Sequence, residues 1–376
     1  MKVLAYYLPQ FHEIPENDKW WGKGFTEWTN VKKAKPLFEG HNMPRVPLNN
    51  NYYNLTDKKT QLWQVQLAKK YGIYGFCMYH YWFNGKLLLE KPIEQYLENK
   101  DLDLPFCFSW ANEYWTNGWV SANNKILISH DNSDEKDWYN HFMYFVPFFR
   151  DERYIKIDGK PLLILYYPNI LQKCNQMIRT WRKLAKENGF PGLYILYQKA
   201  ATHFDTAFDK SQFDGGIEFQ PGYCVEKGKS KLRRKYQNVR FKVINFIKLK
   251  TGLSRKKSGG SKAYHYNYDE IWKRIITSKP DNDHMYPGAF VDWDNTPRKG
   301  NRGSLYDGAN PKKFKYYFKC EVRRAREVYK KDMIFLFAWN EWGESGYLEP
   351  DTANRYGYLD AIKTTLIECG EFPDYK

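Results

Sequence analysis

The sequence predicts an α/β fold, a single (β/α)8 TIM barrel with long strand-end loops and a basic insertion after the sixth strand. Three observations predict it. Eight short apolar, β-branched or aromatic runs recur with helical patterns between them, as alternating βα units of a parallel sheet do. The 376 residues suit one barrel with insertions, so 1–376 reads as one domain. No G-x-G-x-x-G or G-x-x-x-x-G-K-S/T loop follows the first run, which weakens the competing doubly wound sheet.

The elements follow in order. Residues 2–8 read as the first strand, and they reach Pro9 too soon to build the apolar stretch of a signal peptide, so none is expected. An amphipathic helix over 56–70 precedes strands at 73–79 and 105–110. Helix 133–149, strand 162–167 and helix 170–188 come next, then strands at 193–197 and 215–219. Strand 289–293, helix 312–330, strand 334–339 and a closing helix over 355–368 complete the count. No apolar run approaches the roughly 18 residues of a membrane span. Six cysteines lie scattered without C-x-x-C pairs; they read as reduced, buried thiols of a cytoplasmic protein.

The formal charge is +16 and unevenly spread. Between Val225 and Lys262 stand fourteen Lys or Arg against the single Glu226, so this insertion carries +13 and the remaining 338 residues only +3. Within it, residues 238–250 interleave apolar and cationic side chains, a pattern suited to an anionic membrane surface. A solvated insertion is the competing reading. Nucleic acid is not expected, because no recognisable nucleic-acid module accompanies the cluster.

A barrel places its site at the C-terminal ends of the strands. Those ends carry Tyr7, Gln10 and His12; His80, Tyr81 and Trp82; Trp110, Asn112, Glu113 and Trp115. Further along come Tyr167, Gln198, Gln220, Trp293, Asp294, Arg298, Asn340 and Glu341. Aromatics, 18% of the chain, suggest a long aromatic-lined cleft. The segment Ala338-Trp339-Asn340-Glu341-Trp342-Gly343-Glu344-Ser345 sets two carboxylates three residues apart between tryptophans. Glycosidic chemistry needs one carboxyl that gives a proton and another that accepts one or stabilises positive charge. Glu341 and Glu344 are therefore the catalytic candidates, with Tyr7, His80, Trp82, Trp110, Asn112, Glu113, Gln220, Trp293, Asp294, Asn340 and Trp342 as substrate contacts. The alternative, a solvated helix start over core tryptophans, stays open, as does Glu349 or Asp351 as the second carboxylate. Glu113 is either a third acid adjusting the pair or an acceptor for backbone amides. Asp292-Trp293-Asp294 has a metal-binding D-x-D form, but no second ligand cluster accompanies it, so no metal is expected. The aromatic block at 20–31 is either a cleft wall or a packed cap.

These segments together resemble a known family. Tyr6-Tyr7-Leu8-Pro9-Gln10-Phe11-His12, the 20–31 block, Gly75 to Trp82, Trp110-Ala111-Asn112-Glu113, Asp292 to Arg298 and Trp339 to Glu344 look like WbsX-type proteins. That group in turn resembles glycoside hydrolase family 99, the endo-α-mannosidases. The likeness runs from Lys2 to about Asp360, with the basic insertion outside it. It implies a (β/α)8 barrel and cofactor-free, metal-independent chemistry with retention at an α-mannoside-like bond. On the family-99 pattern, Glu341 assists deprotonation of the substrate's O2, which attacks the anomeric carbon and gives a 1,2-anhydro sugar. Glu344 protonates the leaving oxygen and then activates the acceptor. Gly343 departs from the pattern, which usually has His there.

The resemblance implies a glycosyltransferase of bacterial surface polysaccharide assembly, O-antigen (lipopolysaccharide) or capsule. Its substrate would be an oligosaccharide or sugar donor, in the cytoplasm or at the inner face of the cytoplasmic membrane. A lipid-linked glycan and membrane contact through 225–262 go with that reading. An endo-acting retaining hydrolase or transglycosylase is the alternative, and a non-catalytic glycan-binding barrel is the third.

Overall fold

The computed structural model describes residues 1–116, 126–129, 134–204, 208–230 and 262–375. Its parallel strands, in chain order, are β1 (Lys2–Tyr7), β2 (Gly75–Phe83), β3 (Phe106–Trp110), β4 (Lys160–Leu165) and β5 (Tyr194–Lys199). They continue with β6 (Gly215–Glu218), β7 (Met285–Tyr286), β8 (Gly288–Phe290) and β9 (Met333–Phe337). Each pairs with its predecessor from β1 to β7, β8 pairs with β9, and β9 pairs with β1.

Pro287 explains why nine segments make eight barrel positions. Proline has no N–H and interrupts a ladder, so the seventh position is split. Met285 and Tyr286 pair with Gly216 and Ile217, while Gly288 to Phe290 pair with Phe335 to Phe337. The Pro287 carbonyl still accepts from the Phe335 N–H at 3.1 Å, which stitches the halves into one ring. At Gly288 a Cβ would lie 1.8 Å from the Glu218 carbonyl oxygen, so the split strand can approach β6 only with glycine there. The strand predicted at 289–293 therefore sits at 285–290, and Asp292 and Trp293 lie beyond it.

The helices are α1 (Pro15–Trp21), α2 (Glu27–Lys33), α3 (Lys58–Lys70), α4 (Lys91–Glu98), α5 (Glu135–Arg150) and α6 (Cys174–Glu187). After them come α7 (Gly222–Lys227), α8 (Tyr268–Thr277), α9 (Thr296–Lys299), α10 (Pro311–Glu327) and α11 (Gly357–Glu368). Asp57, Asp134, Asn267 and Asn310 cap α3, α5, α8 and α10 by accepting a first-turn N–H, which fixes where each begins. A small parallel sheet, Tyr264–Asn267 with Ser304–Asp307, stands at the strand-end face. Most of the basic insertion, 231–261, falls outside the described residues.

All nine residues of β2 are buried, because the barrel interior covers one face and helices the other. Inside, Tyr6 packs on Tyr79 at 5.5 Å and Phe219 at 5.2 Å. Outside, Phe108 packs on Phe145 and Phe148 of α5 at 5.5 and 4.9 Å. Burying one such ring contributes roughly 1.5–3 kcal/mol, so much of the aromatic content serves the core rather than a cleft. The six cysteines are free, but only Cys77, Cys107 and Cys224 are buried. Among the described residues no helix is long and apolar enough to cross a membrane.

Candidate active site

The last strand builds the centre of the site. After β9 the chain forms a tight hairpin in which Asn340 and Glu341 pair antiparallel with Tyr347 and Gly346. Its tip is a single 3-10 turn, Trp342–Glu344, closed by Ser345 in the left-handed region. Glu341 stands before this turn, in the hairpin's first strand, and Glu344 closes it, so the three-residue spacing crosses the tip once and both carboxylates line the same cavity. The sequence spacing thus acquires a physical meaning.

Two sets of contacts pin this turn. The Asn340 amide donates to the Leu8 carbonyl at 3.0 Å and accepts from the Leu8 N–H at 2.8 Å, tying the hairpin to the end of β1. Behind it, the Trp342 indole stacks on Tyr347 with centroids 3.7 Å apart and donates to Glu349 at 2.7 Å. Glu349 also accepts from Tyr53 at 2.8 Å and Gln64 at 2.7 Å. Burial pushes its carboxyl up to about 7, and these donors oppose the rise.

The cavity has a volume of about 620 Å³ and takes residues from every barrel position. Gln10, Tyr81, Glu113, Tyr166, Phe219, Trp293, Phe337 and Glu341 line it from the strand ends. Trp21, Phe25 and Glu27 of the N-terminal block line it as well, as do Tyr266 and Tyr306 of the small sheet. The block is wall and cap at once, because Trp28 turns inward onto Tyr53 at 5.1 Å and Trp342 at 5.4 Å.

Arg298 organises the charges. Its guanidinium lies 2.8 Å from Glu27, 2.8 Å from Glu341 and 3.3 Å from Glu344. Burial works against the Arg298 charge, and the three carboxylates outweigh it and hold it cationic. Burial pushes the Glu341 carboxyl well above the usual carboxylate range; Arg298 pulls it down while Glu344 and Glu27 push it up. Glu113, half-buried at the opposite wall, is raised to about 7 by burial and the charge of Glu344, with Lys299 opposing. Several carboxylates around one guanidinium in a poorly solvated site share protons as a group. Such a site can hold one acid and one base at once, as glycosidic chemistry requires.

Of the sequence candidates, the structure brings Glu341, Glu344, Glu113 and Trp293 to the cavity. It does not bring the others there. Tyr7 donates to Gln64 at 2.8 Å on the helical side of β1. His80 faces His141 of α5 at 2.9 Å, and Trp82 stacks on that imidazole at 4.5 Å. Trp110 packs on His141 and Trp181. Asn112 brackets the Tyr167 backbone at 2.7 and 2.8 Å. Gln220 accepts from the Cys224 N–H of α7. Asn340, Trp342 and Glu349 hold the turn from behind, and none of the three lines the cavity.

Asp294, read as a substrate contact, does not line the cavity either. Neither Asp292 nor Asp294 lies on a strand, and each is engaged: Asp292 by Arg45 at 2.9 Å, Asp294 by His41 at 2.7 Å and Thr296 at 2.6 Å. Among the described residues no group of three His, Cys, Asp or Glu is placed to hold a metal ion. Sequence reasoning missed Glu27 as a site residue and placed Arg298 at a strand end without the three carboxylates of this chain that hold it.

Comparison with known proteins agrees with this architecture. The family model described as Glycosyltransferase WbsX matches residues 3–362. Two curated relatives, both uncharacterised proteins WxcX of Xanthomonas campestris pv. campestris, are 35% identical over 370 residues (strain B100) and 34% identical over 372 (strain ATCC 33913). Each alignment covers 98% of this chain and 50% of the relative, so the chain spans about half the length of the curated relatives it matches. Among solved structures, a glycoside hydrolase-like protein superposes with a TM-score of 0.55 at 14% identity over 97% of this chain and 93% of that one. The GH99 endo-alpha-mannosidase of Bacteroides thetaiotaomicron gives 0.54 at 11% identity, over 97% and 96%. At such identities the likeness is one of fold, a (β/α)8 barrel. The sequence match decides the family: the chain belongs to the WbsX glycosyltransferases.

Proposed function

We propose that this WbsX-family chain is a carbohydrate-active enzyme of surface polysaccharide assembly that transfers a glycosyl group with retention at an α-mannoside-like linkage. The observation that carries the reading is the Glu341/Glu344 pair, both members held by Arg298 in a cavity walled by aromatic rings. Glu341 takes the proton from the substrate's O2, O2 closes on the anomeric carbon, and Glu344 gives a proton to the leaving oxygen. Glu344 then withdraws a proton from the acceptor as it opens the 1,2-anhydro ring at the anomeric carbon, and Glu341 returns its proton to O2, which restores both carboxyls. Arg298 opposes the neutralisation of Glu341 that burial favours. The aromatic rings supply apolar faces for the sugars.

One observation favours a second reading, hydrolysis or transglycosylation. The cations among the described lining residues are Arg298 and Lys299, and Arg298 is engaged by three carboxylates, which leaves little positive charge for a nucleotide diphosphate. Mass spectrometry of products from nucleotide-sugars and from α-linked mannosyl oligosaccharides, run beside Glu344→Gln, separates the readings. Transfer from a nucleotide-sugar that vanishes in the variant supports a transferase; shortening of an oligosaccharide supports the second. Turnover of neither substrate class, or turnover indifferent to Glu344, defeats both.

Within the same proposal, the substrate is a lipid-linked glycan met at an anionic membrane. Leu37, Phe38 and Tyr264 are exposed at 37, 39 and 69%, and Lys32, Lys33 and Lys35 lie exposed just before them. His41 holds this loop out, accepting from the Leu37 N–H and bonding Asp294, and Phe38 packs on His265 at 5.1 Å beside the base of the basic insertion. Lys or Arg near an anionic surface is worth about 1 kcal/mol each. Co-sedimentation with phosphatidylglycerol vesicles is expected for the full chain, and much less for Leu37→Ala/Phe38→Ala or for deletion of 228–262. No binding at low salt refutes the membrane contact.

A further inference from the structure

A second groove, of about 390 Å³, lies outside the cavity and shares no residue with it. Its polar side is the run Asn49-Asn50-Asn51 and its ring surfaces are Tyr52, Trp63 and Tyr356. Asn49 and Asn50 adopt φ of 58° and 54°, the left-handed region that asparagine tolerates better than most residues. The result is three consecutive exposed amides, none drawn into a side-chain hydrogen bond among the described residues. Asn54, three residues on, shows the contrast, since its side chain accepts from the Thr56 N–H and hydroxyl in an ordinary local turn. The Leu48 N–H bonds the Pro350 carbonyl at 2.9 Å, so the run is anchored to the segment that follows the catalytic hairpin.

We propose that this groove binds an uncharged glycan segment, a sugar residue or two of a chain whose other part reaches or leaves the cavity. The chemistry fits that class. An amide offers both donors and an acceptor, the set that paired sugar hydroxyls require, and aromatic faces meet the C–H side of a pyranose. The groove's lining residues are uncharged, in contrast with the carboxylate-rich cavity, and because Lys32 Nζ stands 4.2 Å over the Tyr52 ring, Trp63 and Tyr356 are the ring surfaces assigned to the sugar. Its position supports a role in holding the chain: Tyr52 packs edge-on against Trp28 at 5.1 Å, and Trp28 packs on Trp342 between the two glutamates at 5.4 Å.

Affinity electrophoresis of the full chain through gels holding an α-mannan, dextran or polygalacturonate tests the assignment. At least one neutral polymer should retard the protein, and any retardation by polygalacturonate, a polyanion that the +13 insertion can hold by charge alone, should be indifferent to the Asn variants. Asn49→Gly/Asn51→Ala, with glycine where φ is 58°, should weaken the neutral-polymer retardation roughly ten-fold, as two lost hydrogen bonds would. Both positions are exposed, so folding is expected to survive, and a melting curve verifies it; Asn51→Asp, which adds a charge at an exposed site, is the second variant. Turnover of a short oligosaccharide should be unchanged in these variants, and Glu344→Gln should still be retarded, so the groove is read independently of the proposed chemistry. No retardation by either neutral polymer, or neutral-polymer retardation equal in the Asn variants and the unaltered protein, overturns the proposal.

Discussion

Glu341→Gln and Glu344→Gln should each lower turnover by roughly 10²–10⁴-fold, the range a positioned proton-transfer group supplies, while glycan affinity stays within a few-fold. Glutamine keeps the shape of the side chain and its contact with Arg298, so loss of turnover reports the proton rather than the packing. The two variants should differ in pH dependence. Glu341 works as a base, and burial raises its carboxyl well above the usual range, so the ionised form is lost as pH falls through that raised value. The acid limb of kcat/KM in the unaltered protein should therefore lie above the ordinary carboxylate range. A donor lacking the 2-hydroxyl should be inert, and adding Glu341→Gln should cost nothing further with it, because both changes remove the same step. Rapid turnover of a 2-deoxy donor would mean that a carboxylate attacks carbon directly and that the O2 route is wrong. Wild-type-like turnover in both Gln variants would remove the pair from the chemistry altogether.

The barrel was legible because strand-helix alternation survives in apolar patterning, and the placement of Glu341 and Glu344 in one cavity because both follow directly on the last strand. What stayed hidden is parity along the strands. Tyr79 and Tyr81 point into the cavity while His80 and Trp82 point at α5, and nothing in Tyr-His-Tyr-Trp distinguishes them. A barrel strand is covered on both faces, so the alternation that marks an inner face in an antiparallel sheet is absent, and a one-residue error exchanges site for core. Tyr6 and Tyr7 repeat the lesson at β1, with Tyr6 inside and Tyr7 bonded to Gln64. Glu27 was illegible for another reason. Its role depends on an ion pair with a residue 271 positions away, which no local pattern encodes. The seventh strand was misplaced because Pro287 divides it into pieces too short to read as a run.

Gly343→Ala should cost turnover roughly 10–100-fold, the scale of a small misplacement in a positioned site, and raise the acid limb of the pH profile. A Cβ at 343 would lie 2.6 Å from the Glu27 carboxylate oxygen, 2.7 Å from Arg298 Nε and 2.8 Å from its Cζ. Both neighbours are buried, with side chains 3 and 5% exposed, and each is held by the other, so neither yields without breaking the pair. Displacing Arg298 weakens its hold on Glu341, whose carboxyl then rises further and is ionised only at higher pH. Arg298→Ala should do the same more strongly and should also destabilise the fold, since removing one partner of a buried ion pair costs about 3–5 kcal/mol. A melting curve separates that loss from the shift in the pH profile. The two substitutions should not add. Once the guanidinium is gone the Cβ has space, so Gly343→Ala in the Arg298→Ala background should change kcat/KM by less than about two-fold, where independent sites would multiply. Additive effects would show that Gly343 matters for a reason other than the Arg298–Glu27 pair. Non-additivity would account for glycine here, where the family-99 pattern has histidine: in this chain the space beside the turn is filled by Glu27 of α2 and Arg298 of α9.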